Sequence, residues 1–249
     1  MRLIIYVFLL VLVGACGKPE KVSVVVTSSW TAAFVEAAGI SDRVMLAPAE
    51  MQHPSEYELD INDIERLRQA NLIVCGGYEI MMDRIRNGLK IDPDRILEIK
   101  TDYNLDHIRS SVMKIASRMG TEEIAIKNMA EIEEVFKLSR EKIHHAGIDQ
   151  QPVLVQFFIQ AFARELGLNV TAVFGPKPLE VFDIHDLLNK EFKLILDNAH
   201  NPISGPLIES KKGVSVAFLI NFPGTDGTRS LADVIRYNVE RILEASGEL

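Results

Sequence analysis

Four short, nearly continuous runs of Val, Ile and Leu, at Val22 to Thr27, Arg43 to Leu46, Leu72 to Cys75 and Arg95 to Ile99, alternate with helical patterns at Ala32 to Ala38, Asp60 to Ala70 and Glu79 to Arg86. Strands that are apolar on both faces fit a parallel sheet covered by helices on each side. Ile61, Ile64 and Leu67 carry the three-residue spacing of one such cover. The second half repeats the plan, with strands expected at Val153 to Gln156, Asn169 to Val173, Lys193 to Leu196 and Val214 to Leu219. Its helices are expected at Phe157 to Leu166, Ile184 to Lys190, Pro202 to Ser210 and Arg229 to Ala245.

Between the halves lies a Pro-free helical stretch from Asp106 to about Ala146, broken once at Gly120-Thr121. Gly120 suits the end of one helix and Thr121 the cap of the next, with Glu122 and Glu123 well placed against the dipole of its first turn. From Thr121 the pattern predicts a rod about 39 Å long at ~1.5 Å per residue. Ala125, Met129, Ile132, Phe136 and Ile143 form its buried line. The expected fold is therefore α/β: two lobes, each a parallel sheet flanked by helices, joined by one long rigid helix. The lobes take residues 21–120 and 147–249 and the connecting helix 121–146. A ligand is expected where the carboxyl ends of the two sheets face each other.

Ahead of the first lobe, Arg2 is the only charge before an apolar run from Leu3 to Val13. That run is too short for a bilayer span, which takes roughly 20 residues, and reads as a signal peptide over residues 1–15. It closes on Val13-Gly14-Ala15-Cys16, which resembles a bacterial lipobox; Cys16 would carry the lipid, with residues 16–20 as a tether to the membrane. Only Cys75 then remains, so no internal disulfide is expected, and its place at the end of an apolar run reads as a buried strand thiol. A net charge of −8 without a basic block argues against nucleic acid as a partner. No G-x-G-x-x-G follows the first strand, and neither a Walker-type loop nor a G-x-S-x-G elbow occurs, so catalysis is not expected.

The stretch from Met51 to Glu79 combines a polar loop, an amphipathic helix, an apolar strand and the Gly76-Gly77 turn. Its loop sets His53 beside Pro54-Ser55-Glu56-Tyr57-Glu58-Leu59; Asp63-Ile64, Leu67 and Ala70-Asn71-Leu72-Ile73 follow. Further on come Asn128-Met129-Ala130, Gly167-Leu168 before a strand, and Arg236-Tyr237-Asn238-Val239-Glu240. In this order, together with the lipobox and the rod, these segments resemble the cluster A-I, or periplasmic zinc-binding, solute-binding lipoproteins of ABC importers, whose fold is called TroA-like. The resemblance implies an exported, lipid-anchored protein that captures one divalent metal ion, zinc or manganese, between its lobes. It implies delivery to a membrane permease and its ATPase, with no reaction of its own.

Carried over by position, the resemblance implies His53, Asp102, Gln156 and Asp197 as metal ligands, with His200, His107 and Asn221 as additional candidates. The family's first histidine falls on Ser55, so His53, two residues earlier, serves only if the loop is re-registered; the second falls on Asp102 and the third on Gln156. The family's carboxylate is kept as Asp197. One nitrogen and three oxygens make a poor zinc cage and favour a harder cation such as manganese. Each residue also has a plainer reading: Asp102 or Asp106 as a helix cap, Gln156 as a buried amide needing a partner, and Asp197 to Pro202 as a polar turn. Trp30 and the Thr27-Ser28-Ser29 turn are expected to line the same cleft, with Ser29 available as a cap. Substitution at three of four ligand positions supports a second function, in which the same fold takes another small solute, a metal chelate or a partner protein.

Overall fold

The computed structural model describes residues 23–248; the expected signal peptide, the tether and Cys16 lie outside them. Strands β1 (Val24–Val26), β2 (Arg43–Met45), β3 (Leu72–Cys75) and β4 (Ile96–Glu98) form one sheet in the order β2-β1-β3-β4. Strands β5 (Pro152–Gln156), β6 (Asn169–Phe174), β7 (Leu194–Asn198) and β8 (Ser215–Leu219) form a second in the order β6-β5-β7-β8. Every pairing in both is parallel.

Because successive side chains on a strand face opposite ways, each continuous apolar run feeds two cores. In the first sheet Val24, Val26, Leu72 and Val74 face one cluster, while Val25, Ile73 and Cys75 face another with Leu67, Met81 and Ile85. In the second sheet Val153, Val155, Leu194 and Leu196 join the first of these clusters, and Leu154 and Ile195 turn outward to Phe174, Phe192 and Leu207. One central apolar cluster therefore spans both lobes. Cys75 is fully buried, and that burial pushes its thiol up to about 12, so it is an inert packing group.

The central cluster is completed by helices α1 (Ser29–Ala37), α4 (Leu105–Met119), α5 (Glu122–His145) and α9 (Leu231–Ala245). The rod α5 has 24 residues, about 36 Å at ~1.5 Å each, and buries the expected line of Ala125, Met129, Ile132, Phe136 and Ile143 together with Val135. Gly120 ends α4 at φ +66°, but Thr121 makes no side-chain cap; its hydroxyl donates to the Ala38 carbonyl and ties the rod to α1. A further tie crosses between the halves. Glu165, the last residue of α6 (Gln160–Glu165), accepts from the Leu105 amide at the start of α4 and from Arg140 on the rod.

Two expected helices change form and a third is shortened. The segment from Glu79 becomes one helical turn, α3 (Met81–Asp83), followed by a π turn at Arg84–Gly88, and Glu79 itself stays outside it, its Oε1 turned back to accept from Gly76 N and the Thr27 hydroxyl. The helix after β5 opens as a 3-10 turn, Phe157–Ile159, capped by Gln156 Oε1 on Phe158 N at 2.7 Å. Pro202 stays outside α8 (Gly205–Ser210), because Asp197 draws in the amides ahead of it. Helices α2 (Ile61–Gln69) and α7 (Val181–Leu188) lie near their expected places.

Asn238 on α9 is 1% exposed and clamps the chain leaving β8, accepting from Ile220 N and donating to Ile220 O at 2.9 Å each. Asn238→Ala is expected to cost about 2 kcal/mol, since both backbone groups lose their partner in the interior. Urea unfolding checks this; a loss below about 0.5 kcal/mol would show that the clamp contributes nothing.

Candidate functional site

The two strand orders reverse direction at matching places, between β1 and β3 and between β5 and β7, and ligands in open parallel sheets sit beyond the carboxyl ends at such points. A cleft of about 930 Å³ lies there, walled by both lobes. Segments that follow β1, β2, β3 and β4 supply Ser28 and Trp30, His53 to Glu56, Gly76 and Tyr78, and Lys100 to Asp102. Opposite them stand Phe158 after β5, Asn198 and His200 around the end of β7, and Asn221 and Phe222 after β8. Ser28, not Ser29, caps α1, in a reciprocal box with Thr31.

Of the seven candidate donors, His53, Asp102, His200 and Asn221 line this cleft. Asp102 accepts from Asn104 N at 3.0 Å and sits 2.7 Å from Nδ1 of His107, whose Nε2 faces the Lys100 ammonium at 3.4 Å. The ammonium can only donate, so Nε2 accepts and the ring proton lies on Nδ1, pointed at Asp102. His107 therefore orients Asp102 from behind the wall. Neither Asp102 nor Asp106 caps α4; Asn104 does, accepting from His107 N.

Gln156 and Asp197 occupy a different face. Strand alternation puts Val155 and Leu196 on the central side, and so Gln156 and Asp197 on the outer side with Leu154 and Ile195. Both are fully buried, and neither is among the residues lining the cleft. Asp197 accepts from three backbone amides, Asn198 N at 2.8 Å, Ile203 N at 2.9 Å and Ser204 N at 2.7 Å. The carboxylate thus shapes the loop that presents Asn198 and His200. Gln156 spends its carbonyl oxygen on Phe158 N, and its Nε2 finds no partner among the described residues. Among those residues no three His, Cys, Asp or Glu side chains come together in a way that could hold a metal ion.

His200 is fixed on three sides. Its ring stacks on Phe222 with centroids 3.8 Å apart, Nδ1 accepts from Asn221 N at 3.4 Å, and its carbonyl accepts from Gln52 of the other lobe at 3.2 Å. The same edge is closed by Gly224, where a Cβ would lie 2.2 Å from the Ala49 carbonyl oxygen. Burial, with the nearby charge of His53, holds the His200 imidazole down to about 4. A histidine whose folded value is depressed contributes stability that is full above its unfolded value near 6.5 and is lost as pH falls toward about 4. With an allowance for its partial exposure, about 1–2 kcal/mol is expected to disappear across that window. His200→Asn flattens this part of the pH profile in thermal melts; an unchanged profile would remove His200 as its source.

The aromatic residues Tyr78, Phe158 and Phe222 were not signalled by any spacing. The one pointer the sequence held is their position shortly after expected strand ends.

No protein-family model matches the chain, and no curated protein matches it by sequence. Solved structures do share its fold. The nickel-bound solute-binding protein FpvC of Pseudomonas aeruginosa superposes with a TM-score of 0.70 at 17% identity, over 92% of this chain and 98% of its own. The laminin-binding protein Lmb of Streptococcus agalactiae, described as bifunctional with adhesin and metal-transporting activity, gives 0.68 at 16% identity over 90% and 99%. A manganese-bound periplasmic metal-binding protein of Candidatus Liberibacter asiaticus gives 0.66 at 12% identity over 91% and 100%. These likenesses establish the two-lobed fold over nearly the whole chain.

Proposed function

We propose that this chain is the exported solute-binding component of an ABC importer, anchored through Cys16. In this reading it holds a metal-bearing cargo between its lobes and presents it to a permease and its ATPase without catalysing a reaction. The observation that carries the reading is a cleft at the carboxyl ends of both sheets, walled by both lobes, in a fold shared with proteins described as binding manganese or nickel or transporting metal. In this reading a lipid on Cys16 makes the attachment to the membrane.

The form of the cargo follows from the donor set. A bare zinc or manganese ion needs about four or more protein or water ligands at short range. The cleft is lined by His53, Glu56, Glu98 and Asp102, but among the described residues no three His, Cys, Asp or Glu side chains come together to hold one. Recruiting Gln156 and Asp197 would mean pulling both from the outer face of their sheet. A metal already wrapped in an organic chelator needs no such rearrangement and makes use of a 930 Å³ cleft. The test is calorimetry on the chelator-stripped chain with zinc, manganese or nickel chloride, and then with metal complexes. One-to-one binding of a complex with no saturable uptake of the free ions is expected. Tight uptake of a free ion, lost in His53→Ala and Asp102→Asn, would restore the bare-ion reading.

A further inference from the structure

The deep wall of the cleft is aromatic and carries polar atoms left without partners. Trp30, 9% exposed, packs against Tyr103 and Phe222 with ring centroids 6.3 and 6.0 Å away, and Phe222 continues into the stacked ring of His200. The Trp30 Nε1–H, which can only donate, has no hydrogen-bond partner among the described residues. The same holds for the Oδ1 of Asn221, a residue 7% exposed. Both atoms are closed off from solvent in the empty cleft. A buried polar group left unmade costs about 1–3 kcal/mol, so an occupant that shifts the side chains covering them and completes both bonds recovers that cost.

His200 adds a third directed group. Since its Nδ1 accepts from Asn221 N, the proton of the neutral ring lies on Nε2. That nitrogen is then a donor, without the free lone pair a metal ligand needs. At the mouth, Tyr78 from one lobe and Phe158 from the other are each about half exposed, at 53% and 49%. Lys114, also on the lining, makes no ion pair among the described residues. The wall therefore offers flat apolar surface, two N–H donors, one carbonyl acceptor and two lysines outside any ion pair among the described residues, Lys114 and the Lys100 held on His107. Of the lining carboxylates, Glu98 is paired with Arg86 and Asp102 is engaged by His107.

We propose that this cleft takes a hydroxylated aromatic acid, either free or as the chelator surrounding a metal ion, with its ring between the aromatic side chains and its oxygens on Trp30, His200 and Lys114. A hydroxyl on the ring supplies the donor that Asn221 Oδ1 lacks. The proposal rests on the cleft being the cargo site and names the cargo's chemical class.

Trp30 is the only tryptophan in 249 residues, so its fluorescence reports on this wall directly. The full chain is titrated with salicylate and 2,3-dihydroxybenzoate, with the iron(III) complexes of both, and with manganese, zinc and nickel chlorides. Saturable quenching by the aromatic acids or their complexes is expected, with calorimetry giving the affinities. Equal binding of acid and complex identifies a free organic ligand, and binding of the complex alone identifies a chelate; both support the proposal. His200→Phe keeps the stack on Phe222 and removes the Nε2 donor, and is expected to weaken binding about tenfold, one hydrogen bond's share. Trp30→Phe, read by calorimetry, is expected to do at least as much, while His144→Ala on the far end of the rod leaves affinity unchanged. Saturation by a free cation with no response to the aromatic probes would overturn this inference and leave the solute-binding role standing. Silence from every probe would overturn both.

Discussion

Asp197→Ala is expected to lower the unfolding free energy of the empty chain by about 3–5 kcal/mol, because one buried carboxylate satisfies three backbone amides that have no water to turn to. The size of the effect comes from the number of groups orphaned together. A carboxylate accepts on all its lone pairs, so Asn198, Ile203 and Ser204 can share it, and the loop between them closes around it. Asp197→Asn keeps the shape but turns an amide NH2 toward N–H groups, so about half of the loss is expected to remain. Chemical denaturation without cargo separates this role from metal binding. A residue that served only as a ligand would change affinity and leave the empty protein as stable as before. An Asp197→Ala loss under 0.5 kcal/mol would therefore refute the loop-closing role. Since the same loop presents His200, the acid-sensitive window between pH 6.5 and about 4 is also expected to flatten in this variant.

The case of Asp197 shows which parts of this molecule were legible in its sequence. Runs such as Leu72 to Cys75 and the apolar line of the rod were readable, because continuous burial on both faces of a parallel strand, and a 3.6-residue stripe on a helix, leave a direct trace in residue order. Which strand face turns toward a partner lobe leaves no such trace. Gln156 and Asp197 stand at strand ends where cleft residues belong, yet both continue the outward parity of Leu154 and Ile195. A one-residue change of parity decides between cleft and outer core, and composition is the same either way. Likewise nothing local to His200 announces that Nδ1 will meet the amide of Asn221, because that contact depends on how two loops of one sheet end are packed. The helix starts follow the same logic. Glu79, Gln156 and Asp197 each take backbone amides ahead of or at the start of a helix into side-chain bonds, which set where the helix begins and which helix periodicity does not record.

The second large effect is expected at Gly224→Ala, which should cost about 3 kcal/mol and widen one edge of the cleft. Two separate terms combine here. At φ +132° the backbone lies where a side chain is strained, a cost of order 1–3 kcal/mol, and the added Cβ would meet the Ala49 carbonyl oxygen at 2.2 Å. A backbone atom cannot swing away as a flexible side chain can, so the whole segment carrying Ala49 must retreat by about 1 Å to restore a normal C···O separation of ~3.3 Å. Gln52 and His53 follow in the same segment, so the bond from Gln52 Nε2 to His200 O is lost with it. The two terms can be separated by comparison with Gly213→Ala. Gly213 also has a positive φ, +78°, in the milder left-handed range, and nothing lies within 4 Å of its would-be Cβ, so that variant reports a lower bound on backbone strain without a contact. If Gly224→Ala costs no more than Gly213→Ala, the contact between the lobes at Ala49 carries no weight. If it costs at least 1 kcal/mol more, and small-angle scattering shows a larger radius of gyration for it alone, the cleft edge is held shut by backbone contact. Residues beside that contact, Gln52 and His53 on one lobe and His200 on the other, then depend for their spacing on a position that tolerates only glycine.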